Sequence, residues 1–154
     1  MQIDFFHERL KAKKIEKNLL TYTKSILRSG QYTNAIYVKK FEEQFGKINE
    51  AKYCVAVSSG TAALEIAVKS LNLKKNDEII MPSFTIISNA IAIVKSLAKP
   101  VLVDIDLDTW NIKIEDIEKN ITSKTKCLML PHIYGLPNDM DKIYKIVKKH
   151  KLYL

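Results

Sequence analysis

The first part of the chain carries apolar residues at the spacing of an α-helix. Four of them recur at intervals of four, three and four positions and so share one helical face: Ile15, Leu19, Tyr22 and Ile26. Ser29 and Gly30 are predicted to end this helix, because glycine readily adopts the left-handed conformation found at helix ends. A second, shorter helix is predicted to close at Gly46 with three residues turned inward: Val38, Phe41 and Phe45.

From residue 47 onward, short apolar runs alternate with helix-like segments. Four such runs are typical of strands covered on both faces: Cys54–Val57, Glu78–Met81, Pro100–Asp104 and Cys127–Leu130. Helix spacing follows at Leu64–Leu71, at Ser88–Leu97 and after a predicted cap at Asn138, and Leu152–Leu154 is expected to begin a fifth strand. The pattern predicts an α/β fold with a mainly parallel sheet and flanking helices, which binds ligands at the carboxyl ends of its strands.

Composition and charge narrow the possible partners. The 154 residues include 25 basic and 17 acidic ones, a net charge of +8 carried almost wholly by lysine, which indicates a solvated surface and not a nucleic-acid reader that depends on arginine. No apolar stretch approaches the ~20 residues of a membrane span, and Met1–Asp4 lacks the layout of a signal peptide. Cys54 and Cys127 lie in apolar runs, so we expect buried free thiols in a reducing cytoplasm.

The turn after the first predicted strand is the most informative segment for function. Gly60 would let the backbone approach a ligand closely, and the residues after it expose the free N–H groups of a helix start, which favour an anion. Hydroxyl groups add hydrogen-bond donors at three positions: Ser58, Ser59 and Thr61. A phosphate cradle and simple helix capping explain this turn equally well. The dinucleotide fingerprint and the P-loop are both absent from the sequence.

Two further segments follow predicted strands. Pro82–Asn89 offers apolar walls and hydroxyl groups that suit a flat aromatic ligand, although a helix cap with core residues fits the spacing as well. His132, after the fourth strand, could exchange protons near neutral pH or could be a hydrogen-bonded structural residue.

The segment after the third strand raises the question of a metal. Asp104 and Asp106 form a D-x-D pattern, which leaves open a metal-dependent glycosyltransferase. An EF-hand is excluded, because Thr109 stands where that loop requires glycine. Trp110, the only tryptophan, is expected to pack rather than bind.

Taken in order, these segments resemble the sugar aminotransferases of the DegT/StrS group, pyridoxal-phosphate (PLP) enzymes of the aspartate-aminotransferase-like fold. The matching segments run along nearly the whole chain: Ser29–Thr33, Val38–Phe45, Ala56–Leu64, Asp77–Ile80, Pro82–Thr85, Pro100–Asp106, Asp108–Ile112, Pro131–Pro137 and Asp139–Met140. Phe84–Ser88 and Pro131–Gly135 are most similar to the perosamine-synthase branch, which aminates a GDP-linked 4-keto-6-deoxy sugar.

The resemblance implies a reaction and a set of site residues. PLP would take an amino group from glutamate and pass it to the keto group of a nucleotide-linked sugar, as in surface-polysaccharide or sugar-antibiotic pathways. By position, the cofactor phosphate would lie against Ser59, Gly60 and Thr61. Ile86 stands where many relatives stack an aromatic side chain on the cofactor ring, so an aliphatic contact is expected there. His132 and Tyr134 would lie on the substrate side or behind it.

The resemblance also places two family motifs after Leu154: the aspartate that pairs with the cofactor ring and the lysine that forms the Schiff base. Residues 1–46 are then expected to form an N-terminal helical segment and residues 47–154 the first part of the large PLP-binding domain. We expect this polypeptide alone to fold poorly and to be inactive. A homologue that has lost catalysis and serves as a regulator or oligomer partner is the alternative, and the intact family members are homodimers.

Overall fold

The computed structural model describes residues 8–33 and 36–154 and divides after Ala56 into two compact units. Contacts group residues 47–56 with the first unit. The domain boundary expected from the sequence, between residues 46 and 47, stays a prediction. Among the described helices, none combines the length and the apolar character that crossing a membrane requires.

The first unit contains two helices, α1 (Glu8–Ser29) and α2 (Ile36–Ile48). Gly30 follows α1 with φ +65°, as predicted for the end of that helix. The Tyr37 hydroxyl donates to Ser25 Oγ at 3.0 Å, which ties the two helices together. α2 continues past the predicted end at Gly46, whose role is close packing, because a Cβ there would lie 3.2 Å from the Ala51 carbonyl oxygen.

The apolar faces predicted for these two helices are open. Ile15, Leu19 and Tyr22 on α1 are each more than half exposed, and Phe41 and Phe45 on α2 are about half exposed. The prediction that Phe41 and Phe45 turn into a core is therefore wrong for the described part of the chain. The periodicity identified the helices correctly, but a periodic pattern shows only that a face is apolar and not what covers it.

The strand predicted at Cys54–Val57 is also wrong, because these residues pair with no other strand among the described residues. The amide of Ala56 donates instead to Glu42 Oε1 at 2.8 Å, and Val55 is 76% exposed. Cys54 is accordingly only partly buried, contrary to expectation, whereas Cys127 is buried as predicted and its burial raises the pKa of the thiol to about 11.

The second unit is built on a parallel sheet. β1 (Glu78–Pro82) lies in the centre between β2 (Lys99–Val103) and β3 (Thr125–Leu128). Ile80 stands opposite Val101 on one side and Leu128 on the other. The predicted start of a fifth strand is present as one parallel bridge between Tyr153 and Cys127. Three of the four predicted full strands are thus confirmed.

Helices cover both faces of this sheet: α3 (Gly60–Ser70), α4 (Ile87–Lys95), the short α5 (Ile114–Ile117) and α6 (Met140–His150). Two 3-10 turns complete the unit, at Glu118–Asn120 and Ile133–Gly135. Ile79 and Met81 pack with residues of α3 and α4, whereas Ile80 packs with residues of α5 and α6. Successive side chains of a strand point to opposite faces of the sheet. Because helices cover both faces, β1 is buried along its whole length.

The N-cap of α6 is Asp139 and not Asn138 as predicted. The Asp139 side chain accepts a hydrogen bond from the Lys142 amide at 3.2 Å, whereas Asn138 is buried and points its amide elsewhere. Both residue types cap helices well, so the sequence alone did not choose between neighbours.

Ile93→Ala is expected to destabilise the chain by about 2–5 kcal/mol, because Ile93 is fully buried between α4 and the sheet. The matched control is Ile87→Ala on the same helix, where the side chain is 69% exposed and the change should stay within ~0.5 kcal/mol. Urea unfolding of the two variants measures the difference. Equal losses would contradict the core described here.

Asp139 is expected to make stability depend on pH. The Lys142 amide, helped by the Lys142 ammonium at 3.1 Å, holds the pKa of this carboxyl below its ordinary value. The folded state therefore binds fewer protons than the unfolded state, so this stabilisation is complete above the ordinary aspartate pKa of about 4 and is lost as pH falls through the lowered value.

Asp139→Asn keeps a capping oxygen and removes the titration, so its unfolding free energy should vary less between about pH 5 and pH 2 than that of the wild type. Asp141→Asn is the control, because the Asp141 carboxylate accepts no hydrogen bond from the described residues. Chemical unfolding at several pH values measures both. A variant curve parallel to the wild-type curve would refute the assignment.

Candidate active site

The carboxyl ends of the strands bring the predicted loops together. Ser83, directly after β1, donates its amide to the Val103 carbonyl at 2.8 Å, and its hydroxyl lies 3.4 Å from Asp104 Oδ1. The loops after β1 and β2 therefore begin side by side. A helix that follows one of these strands starts near this edge, as α4 does after β1, and open α/β sheets bind ligands at such an edge.

The turn before α3 is a capped helix start with two amides left over. Ser59 is the N-cap: its Oγ accepts from the Ala62 amide at 3.1 Å, and its carbonyl accepts from the Ala63 amide at 3.0 Å. The amides of Gly60 and Thr61 donate to no acceptor among the described residues. Free amides at the positive end of a helix dipole attract an anion.

Neither the backbone conformation nor the packing of the described residues requires a glycine at position 60. The φ of Gly60 lies outside the left-handed region, and a Cβ built on it would have no atom within 4 Å. A site that holds a ligand needs open space of this kind in front of the backbone. The capping and phosphate-cradle interpretations of this turn are therefore compatible, because capping uses Ser59 and leaves the next two amides free.

The start of α4 lies beside this turn. Thr61 Oγ1 and Ser88 Oγ are 2.9 Å apart, so a hydrogen bond joins the first turns of α3 and α4. Ile86 caps α4 without a side-chain hydrogen bond and is 61% exposed. Behind it, the buried Asn89 donates to Thr85 Oγ1 at 2.9 Å and fixes the loop from within. An exposed aliphatic side chain thus stands close in sequence to the paired hydroxyls.

The loops after β2 and β3 meet through aromatic rings. Trp110 lies edge-on to Phe84 with ring centroids 5.2 Å apart and edge-on to Tyr134 at 6.3 Å. Trp110 and Tyr134 both have left-handed backbone conformations, with φ +61° and +50°. Trp110 packs as expected, although it is 46% exposed. No local pattern in the sequence indicated that Trp110 would join three loops.

His132 is held by Asn138, whose amide groups lie 3.0–3.2 Å from Nδ1. No hydrogen bond joins His132 to the α3 turn among the described residues. The sequence does not mark Asn111 as a site residue. Its Nδ2 donates to the carbonyl oxygens of Leu136 and Pro137, both at 3.2 Å. Two buried asparagines thus fix the loop that carries His132 and Tyr134.

The aspartates of the D-x-D pattern are used locally. Asp106 Oδ1 accepts from the Asp108 amide and from the amide and hydroxyl of Thr109, at 3.1, 2.9 and 2.9 Å. The hydrogen bonds from Thr109 hold the pKa of the Asp106 carboxyl below its ordinary value. Within residues 8–33 and 36–154, no three acidic, histidine or cysteine side chains cluster as metal ligands would. Asp106 is a turn-forming residue in this structure.

Comparison with known proteins gives a consistent family. The family model of DegT/DnrJ/EryC1/StrS aminotransferases matches residues 13–154. The chain is 41% identical over 118 residues to GDP-perosamine synthase of Escherichia coli O157:H7, which covers 77% of this chain and 32% of that protein.

Solved structures agree with this result. DesV of S. venezuelae matches with a TM-score of 0.92 at 30% identity, over 98% of this chain and 41% of DesV. NtdA of Bacillus subtilis, solved with bound cofactor PMP, matches with a TM-score of 0.87 at 32% identity, over 90% of this chain and 32% of NtdA.

The chain spans about a third of the length of the curated relatives it matches. Within that third, the match includes the capped turn at Gly60, the sheet and the helices on both of its faces. Sequence and fold lead to one conclusion: the chain belongs to the DegT/DnrJ/EryC1/StrS aminotransferase family.

Proposed function

We propose that this chain supplies the phosphate-binding part of a PLP-dependent aminotransferase, which passes an amino group from glutamate to the keto group of a nucleotide-linked sugar. The substrate class we propose is a 4-keto-6-deoxyhexose, because the relative from E. coli O157:H7 is named GDP-perosamine synthase. The nucleotide, the sugar and a homodimeric assembly belong to the same proposal. When bound, PLP supplies the electron sink for the transfer.

The start of α3 carries the proposal. Two amides without an acceptor among the described residues, at Gly60 and Thr61, stand at a helix N-terminus, and the space around the Cβ position of Gly60 is open. A phosphate dianion needs this combination, since each N–H can donate to a charged oxygen and the helix dipole adds attraction. The residues present therefore fit the phosphate group of PLP.

Hydroxyl groups complete the proposed cradle. Ser59 Oγ accepts from the helix and keeps its own hydrogen free to donate. The Thr61 and Ser88 hydroxyls share one hydrogen bond, so one of their two hydrogens remains for a phosphate oxygen. The cap and the cross-link between α3 and α4 thus orient donors that would otherwise rotate freely.

Other residues have more modest proposed roles. Ile86, exposed at the start of α4, would contact the face of the cofactor ring and help exclude water from it. His132 and Tyr134 would lie on the substrate side, on the loop pinned by Asn111 and Asn138. We assign no covalent step to a residue of this chain.

Gly60→Ala is expected to weaken binding of pyridoxamine 5′-phosphate at least about tenfold while leaving the unfolding free energy unchanged or slightly higher. The added methyl group meets no protein atom, but it would stand beside the Gly60 amide, where the phosphate is proposed to bind. Pyridoxamine phosphate is the chosen probe, because PLP would react with many surface lysines. Isothermal titration calorimetry measures the affinity.

Thr61→Val should lower the affinity by a similar factor, because a hydrogen bond to a charged group contributes about 1.5–3 kcal/mol, and Thr61→Ser should restore it. Ser70→Ala, at the far end of α3, is the matched control and should bind normally. Pyridoxamine without phosphate should bind far more weakly. If both site variants bound like the wild type, or if the phosphate made no difference, the cradle would be refuted.

A further inference from the structure

Asn138 lies against His132 at the carboxyl side of the sheet. Asn138 is 6% exposed and makes three hydrogen bonds with the segment Pro131–His132. Its main-chain amide lies 3.2 Å from His132 Nδ1, and its side-chain Nδ2 lies 3.0 Å from the same ring nitrogen. Nδ2 also donates to the Pro131 carbonyl at 2.8 Å. A buried residue therefore directs its polar groups at one atom of an exposed imidazole.

The direction of these hydrogen bonds follows from the chemistry of the donors. A main-chain N–H can only donate, so His132 Nδ1 must offer a lone pair to Asn138. The side-chain amide has the same orientation, because exchanging its oxygen and nitrogen would place Oδ1 at 2.8 Å from the Pro131 carbonyl oxygen. Both donors therefore converge on an unprotonated Nδ1.

A neutral imidazole with an unprotonated Nδ1 carries its proton on Nε2. Nε2 has no hydrogen-bond partner among the described residues, and the ring is exposed. Adding a proton to Nδ1 would break both hydrogen bonds from Asn138. The new N–H of the ring would then face the two N–H donors of Asn138. In this arrangement the ring can donate a hydrogen bond from Nε2.

We propose that Asn138 is a positioning residue that fixes the exposed His132 as an Nε2–H hydrogen-bond donor at the carboxyl side of the sheet. Its counterpart would be a hydroxyl, carbonyl or phosphate oxygen of a nucleotide-linked sugar, and this identification of the acceptor rests on the proposed function. The assignment of the His132 tautomer does not depend on the proposed function. His132 then orients substrate as a hydrogen-bond donor.

The direct test is a long-range ¹H–¹⁵N correlation spectrum of the histidine rings in the full chain. The spectrum is taken at about pH 8.5, above the range in which histidine side chains ordinarily titrate. The wild type should show His132 as a single tautomer with the proton on Nε2. A proton on Nδ1, or comparable amounts of both tautomers, would overturn the proposal.

Two variants separate positioning from mere packing. Asn138→Asp replaces the side-chain donor with a carboxylate of the same shape, which favours a proton on Nδ1, so the Nε2–H tautomer should lose its dominance. Asn138→Ala removes the side-chain donor but keeps the main-chain one, so the Nε2–H tautomer should lose less of its population than in Asn138→Asp. An unchanged His132 spectrum in both variants would contradict the role of Asn138.

The controls lie in the same unit. Asn76→Asp makes the same change of charge at an exposed turn residue with φ +70° and should leave His132 unchanged. His150, whose Nε2 lies 2.9 Å from Glu118 Oε1, is an internal reference that should be constant in every sample. Binding of pyridoxamine phosphate at the α3 turn is measured separately, so failure of the proposed cradle and failure of this tautomer assignment are distinguishable.

Discussion

The burial of β1 on both faces is the constraint from which the second unit follows. Ile79 and Met81 require cover on one face and Ile80 on the other, so helices must lie on both sides of the sheet. Parallel strands covered in this way are joined by crossovers, and every crossover begins at the same edge. The loops that carry Ser83, Asp104 and His132 therefore start at that edge as a consequence of how the core is covered.

At that edge, the polar groups fall into two sets. Some are used up inside the protein: Asp106 closes a turn, and Asn111 and Asn138 fix the loop after β3. Others remain available, above all the amides of Gly60 and Thr61. The first set ties down the loops after β2 and β3, whereas the Gly60 and Thr61 amides are oriented by the helix that they begin and by its Ser59 cap. Positioning and binding are thus assigned to different residues.

Local pattern was enough to predict the second unit and most of its candidate site. Continuous apolar runs located β1, β2 and β3. The expectation that each strand is covered on both faces holds for β1 but is wrong for β2, where Leu102 is 58% exposed. The run at Cys54–Val57 has the same composition, yet strand pairing needs a neighbour, which no local pattern reports. The open faces of α1 and α2 are a similar case, since periodicity shows that a face is apolar and not what covers it.

The remaining differences concern contacts between residues distant in sequence. The contact of Trp110 with Phe84 and Tyr134, and the hydrogen bonds from Asn111 to the carbonyls at 136 and 137, depend on how loops from different strands meet. The place of His132 after a strand marks it as a candidate in the sequence, whereas local pattern predicts only a helix cap at its partner Asn138. The sequence alone identified candidate functional residues such as His132, but it did not identify the residues that orient them, such as Asn138.

The free amides of the first two residues of α3 are proposed to hold a phosphate, and the most direct measurement observes those two amides. In ¹H–¹⁵N spectra of the full chain, pyridoxamine 5′-phosphate should shift the Gly60 and Thr61 amide protons strongly downfield, because each gains a charged acceptor. Pyridoxamine should leave both in place. Amides that stay unmoved by the phosphate compound, or that respond equally to both compounds, would contradict the account.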